Sequence, residues 1–135
     1  MPATITYLTL GAGDLAAAKT FYDAVMPVLG WSRFNEFPGF VAYGPDGVGD
    51  GQTLWLCNPF DGQAASAGNG AMLAFGAENR AQVDAFHAAA LAAGAVCEGP
   101  PGPRPHYTPT WYAAYLRDPT GNKLAIVHDR PEDDA

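Results

Sequence analysis

"MLAFGAENRAQVDAFH", residues 72–87, strings together a short apolar run, a glycine, a polar turn and the start of an amphipathic segment. Residues 7–22, "YLTLGAGDLAAAKTFY", present the same succession 65 positions earlier. Extended outward, residues 5–30 lie on residues 70–95 without a gap: Leu8 falls on Leu73, Leu10 on Phe75, Gly11 on Gly76 and Phe21 on Phe86. Each copy reads as strand then helix, the helix opened by Asp14 or Asn79, whose side-chain oxygens suit an N-cap. Apolar residues recur at helical spacing, Leu15, Ala18, Tyr22, Val25 and Leu29 in one copy, Val83, Phe86, Ala90 and Ala93 in the other. His87 borders the second stripe and reads as a partly exposed helix residue without a catalytic role.

The likeness resumes after each helix with a shift of five residues. "FVAY" (40–43) lies beside "YAAY" (112–115), and "GQTLWLCN" (51–58) beside "GNKLAIVH" (121–128). Turn-forming stretches, "GPDGVGDG" and "RDPTGN", precede the last strand of each half, and Asp118 reads as a turn former there. Gly68 and Gly70 turn the chain into the fifth strand. With further strands near 31–37 and 95–98, each half becomes β-α-β-β-β. The recurrence of strand, turn, helix and hairpin in one order carries this reading, since shared alanines alone count for little. It gives an α+β fold within a single domain, residues 1–135, made of a first module at 3–58, a second at 68–129 and an acidic tail at 130–135.

The remaining composition narrows the function. A formal net charge of -7 with only seven Lys plus Arg leaves no basic stripe for phosphates or anionic lipid, so neither nucleic acid nor a membrane is an expected partner. Asp129, Glu132, Asp133 and Asp134 read as a solvated tail. No apolar run reaches the roughly 20 residues of a bilayer span, and the first residues lack a signal-peptide pattern, so a cytoplasmic location is expected. Cys57 and Cys97, in no CxxC pair, read as two free, buried thiols.

Four phrases in this order, "DLAAAKTFYDAVMPVLGW", "LWLCNPFDGQAASAGNG", "AENRAQVDAFHAAALAAGA" and "GPPGPRPHYTPTWYAAYLRDPTGNKL", resemble the vicinal oxygen chelate superfamily of glyoxalases, bleomycin-resistance proteins and dioxygenases, over about Ile5 to His128. The resemblance implies tandem βαβββ modules whose curved mixed sheets surround a cavity with helices outside, commonly in a homodimer. It also implies a divalent metal held by His, Glu or Gln on the first and last strands of both modules, acting as a Lewis acid.

Strand alternation tests that implication. If Leu8, Leu10, Leu54, Leu56, Leu124 and Ile126 face the helices, then Ile5, Tyr7, Thr9, Met72, Ala74, Trp55 and Ala125 face the hollow. The internal alignment pairs Tyr7 with Met72 and Trp55 with Ala125, so the family's four ligand positions are Tyr, Trp, Met and Ala. Hard divalent ions need convergent imidazoles or carboxylates, so no cofactor is expected, and a divalent metal only through an atypical site. His87, His106 and His128 lie on a helix, a proline-rich loop and a strand end, and read as separate histidines. Cys57 reads as a small buried hydrophobe.

What is left is an aromatic hollow lined by Tyr7, Trp55 and Met72, with Trp111 and Tyr115 entering from a hairpin. Arg104, His106 and Tyr107 stand near its mouth on a stiff proline-rich loop, where Arg104 could clamp a carboxylate or phosphate. Such a lining either encloses a flat or apolar small molecule or fills itself as a second core. The leading expectation is ligand binding. The alternatives are a glyoxalase I-like lyase or dioxygenase with an atypical metal site, and a dimeric scaffold with a filled cavity.

Overall fold

The computed structural model describes residues 1–131. The chain runs β1 (Tyr7–Gly11), α1 (Leu15–Val25), a 3-10 turn (Met26–Leu29), β2 (Trp31–Phe37), β3 (Phe40–Pro45), β4 (Thr53–Cys57), β5 (Leu73–Gly76), α2 (Arg80–Ala92), β6 (Val96–Pro103), β7 (Trp111–Arg117) and β8 (Lys123–Asp129). The β-α-β-β-β order thus occurs twice. Each half forms its own four-stranded mixed sheet, β1-β4-β3-β2 and β5-β8-β7-β6. In both, the first strand runs parallel to the last and the other neighbours are antiparallel. This is the expected α+β arrangement, with the two sheets left open rather than closed onto each other.

Both helices begin where the sequence places them. Asp14 Oδ1 accepts from the Ala17 amide at 3.2 Å and Asn79 Oδ1 from the Gln82 amide at 2.8 Å, each satisfying one of the amides that a helix start leaves without a partner. The first helical segment stops at Gly30, whose φ of 75° is open to glycine and strained for other residues. Ala18, Phe21, Tyr22 and Val25 of α1, and Val83, Phe86 and Ala90 of α2, are buried against Leu54, Leu56, Leu116, Leu124 and Ile126 of the sheets. The halves share this core. Trp31 meets Phe75 edge-on at 5.6 Å, and Gln82 Nε2 donates to the Val28 carbonyl at 3.0 Å.

The turn "DPTGN" fastens the second half to the first. Asp118 Oδ1 accepts from the amides of Thr120, Gly121 and Asn122, while Oδ2 accepts from Tyr22 Oη at 2.6 Å and Asn122 Nδ2 at 3.1 Å. Asn122 Nδ2 also donates to the Gly11 carbonyl, and Thr120 Oγ1 accepts from the Gly13 amide. Asp118 therefore does more than shape its turn: it is a buried carboxylate bonded to α1. Burial and that carboxylate push the Tyr22 hydroxyl pKa well up, so Tyr22 stays a donor.

Several sequence expectations need correction. "FVAY" and "YAAY" are not equivalent in register. Ala42 pairs with Trp55 and Tyr115 with Ala125; since Trp55 corresponds to Ala125, Tyr115 corresponds to Ala42, one position from Tyr43. A slip of one residue exchanges faces, and indeed Tyr43 is buried with the helices while Tyr115 is only part-buried. The weak strand near 95–98 extends to Pro103, through residues expected to be loop. An outer strand tolerates proline because an outward position needs no amide, and β6 is the outer strand of its sheet. His87 is buried and Cys97 exposed, the reverse of what was expected. Asp129 ends β8, its carboxylate accepting from the Thr108 and Thr110 hydroxyls, and is no tail residue. Glu132, Asp133 and Asp134 lie outside the described residues.

Candidate functional site

The sheet faces turned away from the helices carry the candidate site. On the first sheet, Leu54 and Leu56 point into the core, which sets Trp55 on the opposite face beside Thr9 of β1 and Ala42 of β3. Phe37 and Phe40 flank the Pro38-Gly39 turn and pair with one another across the β2-β3 hairpin. Phe37 lies nearly parallel to the Trp55 ring, 5.9 Å between centroids with 27° between planes; Phe34 and Phe40 approach it edge-on at 5.9 and 6.5 Å. The indole nitrogen donates to Thr53 Oγ1 at 3.1 Å, so the ring's polar edge is satisfied and its faces remain for apolar contact.

Tyr7, Thr9, Phe37, Phe40 and Trp55 together line an open concavity of about 370 Å³. Tyr7 is 62 % exposed, Phe37 48 % and Phe40 41 %, so these rings do not fill the hollow as a second core. Phe34 is held from behind by the "GPDGVGDG" loop, where a Cβ on Gly49 would stand 2.6 Å from its ring. Glycine is needed there for close approach.

The single hollow expected from sequence resolves into separate places. Tyr7 and Trp55 share the first-sheet concavity. Met72 precedes β5 and lines a groove between β1 and β5 with Leu8, Leu10 and Leu73; Leu8, expected under the helices, is 40 % exposed along this open seam. Trp111 and Tyr115 belong to the second sheet, where Trp111 Nε1 donates to Tyr115 Oη at 3.1 Å. Tyr107 meets Trp111 edge-on at 5.5 Å, and His106 lies 4.2 Å from Tyr107. Arg104, just past the end of β6, turns back onto that strand: its terminal nitrogens donate to the carbonyls of Gly102 and Pro100, both at 2.8 Å, with the guanidinium 5.7 Å from the Tyr115 ring centre. Spent on carbonyls, that fork is not set to clamp a carboxylate.

Sequence reasoning missed Phe34, Phe37 and Phe40. The signal was available: two phenylalanines either side of a Pro-Gly turn must face each other at a hairpin end, and alternation from Phe40 through Ala42 leads to the face of Trp55.

The family's metal positions can now be tested on the folded chain. Tyr7 is a largely exposed phenol, Trp55 sits in an aromatic cluster, Met72 offers a thioether and Ala125 a buried methyl. Among the described residues, no three or more His, Cys, Asp or Glu converge as a metal site. These donors do not fit a hard divalent ion. Cys57 lies on the same face under residues 59–65, buried, and burial pushes its thiol pKa up, which disfavours the reactive thiolate.

A model of the Glyoxalase/Bleomycin resistance protein/Dioxygenase superfamily matches residues 4–126. Among solved structures, a glyoxalase/bleomycin resistance protein from Albidiferax ferrireducens T118 is 38 % identical, with a TM-score of 0.82 over 96 % of this chain and 100 % of the other. A glyoxalase-related enzyme from Fulvimarina pelagi, 24 % identical with a TM-score of 0.74, covers 94 % of this chain and 88 % of its own, and shares the fold. A lactoylglutathione lyase from Agrobacterium tumefaciens is 25 % identical, with a TM-score of 0.64 and 94 % of both chains covered. No curated protein matches the chain. Among the described residues, no helix is long and apolar enough to cross a membrane.

Proposed function

From the premise that this chain belongs to the glyoxalase/bleomycin resistance protein/dioxygenase superfamily, we propose that it binds a flat, largely apolar small molecule in the aromatic concavity of its first sheet. The carrying observation is the exposure of Tyr7, Phe37 and Phe40 around Trp55. Rings left in water on one concave face are costly unless something covers them, and a planar ligand stacked between Phe37 and Tyr7 would cover several at once. Thr9 and Tyr7 supply the two hydroxyls in that lining and orient the ligand. We take the working unit to be a homodimer in the cytoplasm, in which the open face of one chain is completed by a second copy. The pocket needs no metal for this role.

The test is a thermal-shift screen of planar aromatic compounds, with tryptophan fluorescence as a second readout. A ligand that binds only the native state raises the melting temperature. We expect hits that shift the wild type, quench its fluorescence and fail on Trp55→Ala. Hits that act equally on Trp55→Ala, or a broad screen without any, would overturn the proposal. Metal analysis of protein purified without chelator addresses the lyase or dioxygenase reading: one equivalent of zinc, iron, nickel or manganese would favour that enzyme over a binder.

A further inference from the structure

His87 and Cys97 form a pair that the aromatic concavity does not use. His87 lies on the buried face of α2, 7 % exposed, and its Nε2 stands 3.2 Å from Cys97 Sγ, at the start of the outer strand β6. Cys97 pairs with Leu116, and the ladder slips between Cys97 and Gly99; such bulges re-aim side chains. The result is an exposed thiol in hydrogen-bond contact with an imidazole shielded from water. Burial lowers the His87 pKa, against a smaller raising effect of Asp84, which keeps the ring neutral and able to accept a proton at neutral pH. Cys57, the other thiol, is buried.

We propose that Cys97, with His87 as its base, is a covalent capture site for soft carbon electrophiles of the α,β-unsaturated carbonyl class. As the Sγ–Cβ bond forms, the carbon–carbon π bond breaks and its electrons pass to the carbonyl as an enolate. The thiol proton moves to His87 Nε2 and returns to the α-carbon. Nothing leaves and nothing is oxidised, so the addition needs no further reactant. A nucleophile and base within hydrogen-bond reach is the arrangement such a step requires. The site lies on the helix-covered side of the second sheet, away from the aromatic concavity of the first, and stands or falls separately from it.

N-ethylmaleimide, an α,β-unsaturated carbonyl compound, tests this on the full chain by intact mass and peptide mapping. We expect one adduct, on Cys97, formed roughly tenfold or more faster than with N-acetylcysteine at the same pH, and a return to that reference rate in His87→Gln. Cys97→Ser should abolish the fast adduct. A Cys97 rate equal to the free thiol's, first modification at Cys57, or an unchanged rate in a folded His87→Gln protein would each overturn the assignment. If His87→Gln unfolds, Cys57 becomes reactive too, and the wild-type rate against N-acetylcysteine decides alone.

Discussion

Trp55 and Ala125 hold the same place in the two halves, as do Ala42 and Tyr115, and the large and small residues are exchanged between them. In the first sheet the bulk stands on the last strand with alanine beside it; in the second, alanine stands on the last strand and the tyrosine beside it. Both alanines are buried beneath their neighbours. The duplication therefore preserved strand order, helix caps and the apolar character of the helix-facing positions, while the open faces diverged in shape. One became an exposed aromatic bowl. The other became a tied cluster in which Trp111, Tyr115 and Arg104 spend their polar atoms on each other and on the backbone. The proposed ligand binding is assigned to the face that did not satisfy itself.

The largest expected effect concerns the two turns before the last strands. Asp118→Ala strips a buried carboxylate from Tyr22, Asn122 and three amides, and should cost on the order of 3 kcal/mol in urea unfolding. Asp50→Ala, in the exposed turn of the first half, should stay within about 0.5 kcal/mol. Equal losses would mean that the halves are fastened alike.

A second test forces the halves to match. Ala125→Trp crowds Tyr115 and should destabilise by about 1–3 kcal/mol. Adding Tyr115→Ala should recover a good part of that loss in a double-mutant cycle; strictly additive effects would show that the exchanged pair does not share one space. A smaller contrast separates the clusters as sites: Phe37→Ala should weaken a planar ligand about tenfold, equivalent to ~1.4 kcal/mol, with Trp111→Ala leaving affinity unchanged. The reverse pattern would move the pocket to the second sheet.

The smallest effect is a pH response. Because burial lowers the His87 pKa from its ordinary 6.5, the unfolded chain takes up that proton first. Stability is then full above about 6.5 and falls as pH drops toward the folded-state value. Melting curves between pH 7.5 and 5.5, conditions chosen around that value, should slope downward in wild type and flatten in His87→Gln. A flat wild-type curve would show that the ring is not shielded.

The elements could be read from sequence because they rest on local chemistry: caps at Asp14 and Asn79, apolar spacing in the helices, glycine-rich turns. The inward setting of Trp55 followed from alternation alone. The partition of the site did not, because nothing local tells whether two sheets close over one space, and Tyr7 and Trp111 were assigned to one hollow on that assumption. The register of β3 against β7 was misread for a related reason: "FVAY" and "YAAY" look alike in letters, while equivalence is set by which residue hydrogen-bonds to the last strand. His87 escaped because its burial depends on how β6 lies against α2, a contact between segments that neither segment announces.

The prolines of β6 have a consequence beyond this fold. Pro100, Pro101 and Pro103 lie within an outermost strand, and a residue without an amide hydrogen cannot seed pairing with a foreign strand. That rim of the molecule is thereby closed to fibril-like stacking and to runaway edge-on growth. The outer strand of the other sheet, β2, carries no proline and has no such protection.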